Sequence, residues 1–351
     1  MFHGYEGAFK CRFFYLSPIK LIPKFMSVIP VLDVRSPSEF SQGHVPGAIS
    51  FPLFSDNERA RIGTLYKHMG KHKAVLEGLH MVGPKLAHFV EEATVIAPNR
   101  NVMVYCWRGG MRSASMAWLL RTAGFSVDVM KGGYKAYRQM VQQSFCDAIP
   151  FIILSGPTGS GKTEILCELR NLGEQVLDLE LLARHRGSAF GSLGMDEQPS
   201  IEQFENKVHQ TLKTMDFNRR IWVEDESRKI GKVVLHEGLW ENLNRAPLVL
   251  LNSPIEDRVR RLVEEYGVFG TDALHESLQK IGKRLGGLSL SDALAALNSG
   301  NLALVAEISL KYYDKAYRFS REKRNRPVAE KIETKGMHAL EVAKMAIGIK
   351  F

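Results

Sequence analysis

Cysteine is scarce: the chain of 351 residues has four, at positions 11, 106, 146 and 167. None forms a C-x-x-C pair or a metal-ligand spacing, so a zinc site built on cysteine pairs is excluded and a disulfide framework is not expected. A reducing compartment, the cytoplasm, is the natural setting, with Cys146 and Cys167 as small packing residues. Long apolar runs are also missing. The one near the N-terminus is interrupted by Pro18, Lys20 and Pro23, which suits neither a signal-peptide core nor a membrane span. Acidic residues are rare in the same stretch, where only Glu6 stands against Lys10, Arg12, Lys20 and Lys24. A basic leader of this kind is compatible with an organelle presequence. We read residues 1–26 as an N-terminal extension without a catalytic role, with Met26 offering a later start. There is no internal repeat and no low-complexity segment.

A composition of 45% hydrophobic and 24% charged residues is that of a globular protein, and the length suggests two domains. The formal charge of +9 is unevenly spread: +8 over residues 1–148, −3 over 149–254 and +4 over 255–351. Basic ends around an acidic middle suit a polyanionic partner, or serve solubility alone.

The stretch Tyr105-Cys106-Trp107-Arg108-Gly109-Gly110-Met111-Arg112-Ser113 carries the clearest chemistry. An apolar run, Asn101 to Tyr105, reads as a strand before it, and Ser113 to Arg121 as a helix after it. A cysteine between a strand end and a helix start sits among backbone N–H groups near a positive dipole end. Arg108 and Arg112 add charge, and every term favours the thiolate. Gly109, Gly110 and Met111 complete a loop able to hold an oxyanion. Upstream, Val28 to Val34 reads as a strand, Ser36 caps a short helix with Pro37 at its first position and Glu39 three residues on, and Ile49 to Leu53 reads as a second strand. Pro84 to Ala93 is helical in period, and Ser126 to Met130 is strand-like before Lys131-Gly132-Gly133-Tyr134. Strands alternating with helices predict a parallel α/β sheet.

A second unit starts after residue 150. Phe151 to Ser155 reads as a strand, and Gly156-Pro157-Thr158-Gly159-Ser160-Gly161-Lys162-Thr163 opens a helix that runs to about Leu172. This is a full Walker A match in the required strand-to-helix context. Backbone N–H groups from Gly156, Thr158, Gly159, Ser160 and Gly161 can cradle a diphosphate or triphosphate, Lys162 can neutralise it, and Thr163 can ligate Mg²⁺. The acidic partner is expected in Arg220 to Glu226, where Asp225 or Glu224 ends a strand, and Ser227-Arg228 just beyond can reach phosphate, Arg228 as a further substrate contact. Asp178-Leu179-Glu180, after the strand Gln175 to Leu179, competes for that role. His185-Arg186-Gly187-Ser188 reads as a substrate loop through Arg186 and Ser188. Leu248 to Leu251 is expected as a final strand.

From Ile255 the chain reads as helices: 258–266, 273–285, 291–297 and 302–317. Tyr312, Tyr313 and Tyr317 lead into Arg318, Arg321, Lys323, Arg324 and Arg326. Aromatic residues interleaved with cations suit stacking and phosphate contact on RNA, or form a solvated helix face. The expected layout is an extension (1–26), a cysteine-loop domain (27–144), a P-loop domain (150–254) and a helical basic region (255–351).

Asp33-Val34-Arg35, Glu39-Phe40, Gly43-His44-Val45-Pro46-Gly47-Ala48, the Cys106 loop and Gly132-Gly133 resemble a rhodanese domain, in which the cysteine carries a transferable chalcogen. The Cys-x5-Arg loop is one residue longer than the usual sulfurtransferase loop, a length also found in rhodanese-like phosphatases. With the Walker motif, Asp178-Leu179-Glu180, Arg184 to Gly191, Glu197-Gln198-Pro199-Ser200, Phe204-Glu205-Asn206 and Glu224 to Arg228, the chain is similar to the tRNA 2-selenouridine synthases. Leu181 stands where glycine is expected. The resemblance implies replacement of sulfur by selenium at wobble 2-thiouridine of tRNA, with selenophosphate as donor and prior S-geranylation from geranyl diphosphate. It makes Cys106 an S-selanylcysteine candidate, or leaves the loop merely to hold the donor. A selenophosphate supplier is an implied partner, with no membrane and no obligate protein partner evident. For the geranyl chain, Phe190, Phe204 and Trp222 offer an apolar wall. A tRNA sulfurtransferase, or a Cys-x5-Arg phosphatase fused to a P-loop kinase, stays open beside this reading.

Overall fold

The computed structural model describes residues 29–324 and 326–351; the extension expected over 1–26 lies outside them. The described chain forms two compact units. One runs to Ser144 and takes in Glu205–Lys207, and the other holds Phe145–Phe204 and Val208–Phe351.

In the first unit, β1 (Val31–Asp33), β2 (Ile49–Ser50), β3 (Asn101–Tyr105) and β4 (Ser126–Val129) form a parallel sheet in the order β2-β1-β3-β4. Between β1 and β2 lies α1 (Pro37–Gln42), whose N3 residue Glu39 accepts from the Ser36 N–H as its spacing predicts. The long α2 (Asp56–Val82), a 3₁₀ turn over Gly83–Lys85 and α3 (Leu86–Ile96) fill the connection to β3. After β3 comes α4 (Met111–Thr122), and α5 (Gly133–Ser144) closes the unit after β4. Leu32, Val34, Val102, Val104, Met116 and Leu120 make its core. The carboxyl ends of β1 and β3 therefore converge on the Cys106 loop. This is the rule for ligands in open α/β sheets.

The second unit is built on β5 (Phe151–Ser155), α6 (Lys162–Asn171), β6 (Gln175–Leu177), the short α7 (Leu179–Ala183) and α8 (Ile201–Leu212). These are followed by β7 (Ile221–Glu224), a small antiparallel hairpin β8 (Lys229–Ile230) and β9 (Val233–Val234), α9 (Glu237–Arg245) and β10 (Leu248–Asn252). The helices expected from residue 255 appear as α10 (Ile255–Tyr266), α11 (Thr271–Leu285), α12 (Gly287–Asn298) and α13 (Leu302–Arg324). The chain then departs from a purely helical ending. Strand β11 (Val328–Glu333) pairs in parallel with β10, completing the order β11-β10-β5-β7-β6. Helix α14 (Ala339–Ile347) sets Val342, Ala343 and Ala346 in one core with Ile165, Leu166 and Leu169 of α6. The C-terminal segment is thus the far edge of the P-loop sheet, and β10 is not its final strand. Among the described residues no helix is long and apolar enough to cross a membrane. Cys146 is exposed, so it is not a packing residue, and Cys167 is half-buried on α6.

Candidate functional site

Cys106 leaves the end of β3 buried, with its Sγ 3.3 Å from Ser113 Oγ. Burial pushes the thiol upward, but hydrogen bonds from the Ser113 hydroxyl and from the N–H groups of Ser113, Arg108 and Gly110 outweigh it, and the net pKa is lowered. Positive charge contributes less than expected. Arg108 is exposed, while Arg112 is held by Glu39 at 2.7 Å and 3.4 Å. The loop is fixed from behind: Gly109 (φ +66°) leaves 2.7 Å between an added Cβ and the Met130 carbonyl, and the N–H groups of Tyr134 and Lys135 bond the carbonyls of Cys106 and Trp107, each at 2.9 Å. Only glycine tolerates that approach and that φ. Gly110 caps α4, and Met111 starts it with its side chain half in solvent.

The Walker loop lies between β5 and α6 as predicted. Gly159 (φ +81°) and Gly161 (φ +80°) take left-handed conformations, and Gly161 is the N-cap of α6. Lys162 Nζ is turned onto its own loop, donating to the Gly156 carbonyl at 2.9 Å. Ser160 Oγ is buried without a hydrogen-bond partner. A lysine satisfied only by its own loop and an orphaned hydroxyl beside it suit an incoming phosphate.

The acidic partner departs from expectation. Asp225 follows β7, but its Oδ1 takes Arg324 at 3.0 Å and also Arg326, while its Oδ2 accepts from Ser155 Oγ at 2.5 Å. Its side chain is 2% exposed, so nothing is left over for a metal. Arg324 and Arg326 are correspondingly internal and not RNA-facing, whereas Arg318, Arg321 and Lys323 are exposed. Facing Lys162 instead are Glu180, Glu224 and Glu226. Burial and mutual repulsion raise Glu180 and Glu224 well above the usual carboxylate range. Burial raises Glu226 too, with the Lys162 charge and a hydrogen bond from Glu180 opposing it. Glu224 Oε1 accepts from the Glu180 N–H at 2.8 Å. Among the described residues no group of three or more His, Cys, Asp or Glu stands at metal-binding spacing. Mg²⁺ at a phosphate needs only one or two protein ligands, which Thr163 and one of these carboxylates can supply.

Three other expected roles meet occupied side chains. Arg186 pairs with Glu265 at 3.2 Å and donates to the Leu193 carbonyl, Ser188 Oγ accepts from the Phe190 N–H, and Arg228 pairs with Glu237. Phe204 and Trp222 are fully buried, the latter with Nε1 on Glu174 Oε2 at 3.0 Å, and Phe190 packs into the helical core with Leu274 and Leu278. All three are buried in their cores.

Two protein families match this chain. Residues 23–140 match the rhodanese-like domain and residues 149–345 the tRNA 2-selenouridine synthase AAA domain. The tRNA 2-selenouridine synthase of Shewanella denitrificans is 34% identical over 90% of this chain and 94% of its own length. The chain belongs to the tRNA 2-selenouridine synthase family. Synthases of the same name from Bordetella petrii and Bdellovibrio bacteriovorus are 35% and 33% identical, covering 87% and 88% of this chain and 90% and 93% of theirs. Its family is one of enzymes.

Residues the motifs do not name support the P-loop from α10. Arg258 Nε donates to the Thr158 carbonyl at 2.8 Å while its other nitrogens grip Asp314, at 3.0 Å and 2.5 Å. Arg261 reaches the Gly159 carbonyl and Ser253 Oγ, each at 3.4 Å. The i, i+3 spacing of these arginines on one helix face was the available signal. Beside them, a cavity of about 550 Å³ is lined by Pro157, Ser253, Arg258, Tyr317, Arg318 and Arg321 among others.

Proposed function

We propose that this enzyme modifies tRNA, exchanging sulfur for selenium in wobble 2-thiouridine, with selenophosphate as donor and geranyl diphosphate as activator. The observation that carries the reading is a chain with two separate anion cradles, one ending in a cysteine whose thiolate is favoured and one in a P-loop lysine held only by its own loop. The P-loop takes the diphosphate. Lys162 and the Gly156 to Gly161 backbone stabilise the charge that grows on it as the allylic C–O bond breaks and the thiouridine sulfur takes the geranyl group. Thr163 and the Glu180, Glu224 and Glu226 group would hold Mg²⁺, which would supply Lewis-acid stabilisation of the diphosphate charge. S-alkylation turns a poor leaving group into a thiol, which opens C2 to selenium. The Cys106 loop receives selenophosphate through its N–H groups and Arg112. RNA contact falls to Arg318, Arg321 and Lys323.

The test is incubation with 2-thiouridine tRNA, geranyl diphosphate and selenophosphate, followed by nucleoside mass spectrometry. Wild type yields 2-selenouridine. Lys162→Ala loses S-geranylated tRNA by at least about 100-fold; an unchanged yield sinks the diphosphate assignment. Sulfur exchange without selenium in the product points to the sulfurtransferase instead.

A further inference from the structure

The Cys106 loop invites a chemistry other than chalcogen transfer to the cysteine. Selenium in selenophosphate is already fully reduced, as is the sulfur of a thiolate. Joining the two in a Cys106–Se bond while phosphorus departs as phosphate removes two electrons for which neither the donor nor the tRNA offers an acceptor. Attack on phosphorus needs no oxidant. The geometry points to Cys106 as a phosphoryl acceptor: a nucleophile that splits the Se–P bond of the donor by taking the phosphoryl group. This inference rests on selenophosphate being the donor.

The atoms balance in two steps. First, the Cys106 thiolate attacks phosphorus of the monoprotonated donor, an S–P bond forms, the Se–P bond breaks, and selenium leaves with the electron pair and the donor's own proton as hydrogenselenide. Water then attacks phosphorus, the S–P bond breaks, and phosphate departs as the thiolate returns. No oxidation state changes. Hydrogenselenide is a weak base, and its proton comes from the donor, so no general acid is needed and the loop has little to supply beyond a nucleophile and an oxyanion cradle.

The loop supplies both. Seven residues from Cys106 to Arg112 enclose the N-terminus of the 12-residue helix α4. Backbone N–H groups of Arg108, Gly110 and Ser113 converge on Sγ, and the same polar wall with Arg112 suits three phosphoryl oxygens. Arg112 is held in place by Glu39 at 2.7 Å. Ser113 Oγ lies 3.3 Å from Sγ and 3.0 Å from the Gly110 carbonyl. Its one proton can turn to the sulfur whenever that sulfur is a thiolate, as nucleophile in the first step and as leaving group in the second.

The experiment uses the full chain with sodium selenophosphate and no tRNA. Quenched wild type carries a phosphoryl group on Cys106 and releases selenide. Ser113→Ala accumulates the phosphoryl adduct, because the departing thiolate has lost its hydrogen bond, and Cys106→Ser cuts selenide release by more than about 100-fold. A selenium adduct on Cys106 without a phosphoryl adduct overturns the inference, as does full selenide release by a folded Cys106→Ser enzyme. If wild type makes 2-selenouridine while Cys106 is never phosphorylated, this inference fails and the proposed function stands. If it makes none, the proposed function has failed.

A separate observation concerns helix α2. Between Glu58 and Glu77 there is no acidic residue, and the segment Tyr66-Lys67-His68-Met69-Gly70-Lys71-His72-Lys73 is solvent-exposed throughout. Arg59 and Arg61 have carboxylate partners, but Lys67, Lys71 and Lys73 have none among the described residues. Gly70 (φ +81°, ψ 173°) breaks the helix in a conformation open only to glycine, with Lys67 before the break and Lys71 and Lys73 after it. The segment also continues from the site, since Arg59 lies 3.8 Å from the Glu39 that holds Arg112, and Lys67 follows roughly 12 Å along the axis. We infer that this segment binds the phosphate backbone of the RNA substrate, with Tyr66 as a stacking face. Substituting Lys67, Lys71 and Lys73 together by Gln is expected to weaken tRNA binding at least tenfold and to flatten the log K against log salt slope by roughly 2. The variant's circular dichroism and thermal unfolding should match wild type. An unchanged slope overturns the inference, and so does loss of binding to anionic lipid vesicles with tRNA affinity intact.

Discussion

Ser113 supplies the largest of the favourable hydrogen bonds on Cys106, ahead of the loop N–H groups. Ser113→Ala therefore moves the pH profile of Cys106 alkylation by iodoacetamide to higher pH, with severalfold slower labelling at neutral pH; an unmoved profile would mean that the N–H groups alone set the thiolate. Asp225 makes the opposite point about a motif residue. Asp225→Asn leaves Arg324 and Arg326 buried without a counter-charge, which costs about 3–5 kcal/mol in a denaturant titration. Mg²⁺-dependent diphosphate binding should survive in whatever fraction stays folded, and its selective loss at unchanged stability would restore Asp225 as a metal ligand. Cys106 and Lys162 were legible because their chemistry is local, a loop between a strand and a helix. The occupation of Asp225 was not, because its arginine partners lie 99 and 101 residues away, at the end of α13 and just before β11.

At the scale of elements, short buried strands were the most readable feature. Asn101–Tyr105, Phe151–Ser155 and Leu248–Asn252 appear within a residue or so of their apolar runs. Helix α2 escaped notice because its exposed, lysine-rich surface carries almost no apolar stripe, with Ala74 and Gly78 its only fully buried residues. Strand β11 escaped for the reverse reason: five of its six residues are exposed, as suits a sheet edge, and Ile332 alone enters the core. Its position has a consequence for truncation. Ending the chain at Arg324 strips the partner from β10 and removes Val342, Ala343 and Ala346 from the face of α6. The truncated P-loop unit is expected to lose its cooperative thermal transition, read by circular dichroism. A cooperative transition at the wild-type temperature would show that the helical region ends as a separate piece.

For the whole molecule, the two units respond to pH with opposite sign. In the cysteine-loop unit, partial burial raises Glu39, but Arg112, with help from the Ser36 N–H and Arg59, more than compensates and its pKa is lowered. Its contribution is present above the ordinary carboxylate range and is lost as pH falls through the lowered value. In the P-loop unit, burial and neighbouring carboxylates raise Glu180 and Glu224, and burial raises Glu226. There the folded state binds more protons than the unfolded chain. Stability is full below the ordinary carboxylate range and falls as pH rises through the raised values. Three carboxyls crowded at Lys162 are thus a cost of folding that a bound cation or a catalytic need must justify. Glu180→Gln relieves the repulsion and should stabilise the P-loop unit by about 0.5–2 kcal/mol at neutral pH, with the gain shrinking toward pH 4. The same variant should lose S-geranylation. Thermal unfolding followed at several pH values by fluorescence of Trp222 and Trp240 reads the first effect, and nucleoside mass spectrometry the second. A stabilised enzyme with full geranylation would make the cluster a structural burden unconnected with the diphosphate, whereas loss of both stability and activity would show Glu180 to be charged and paired in the folded state.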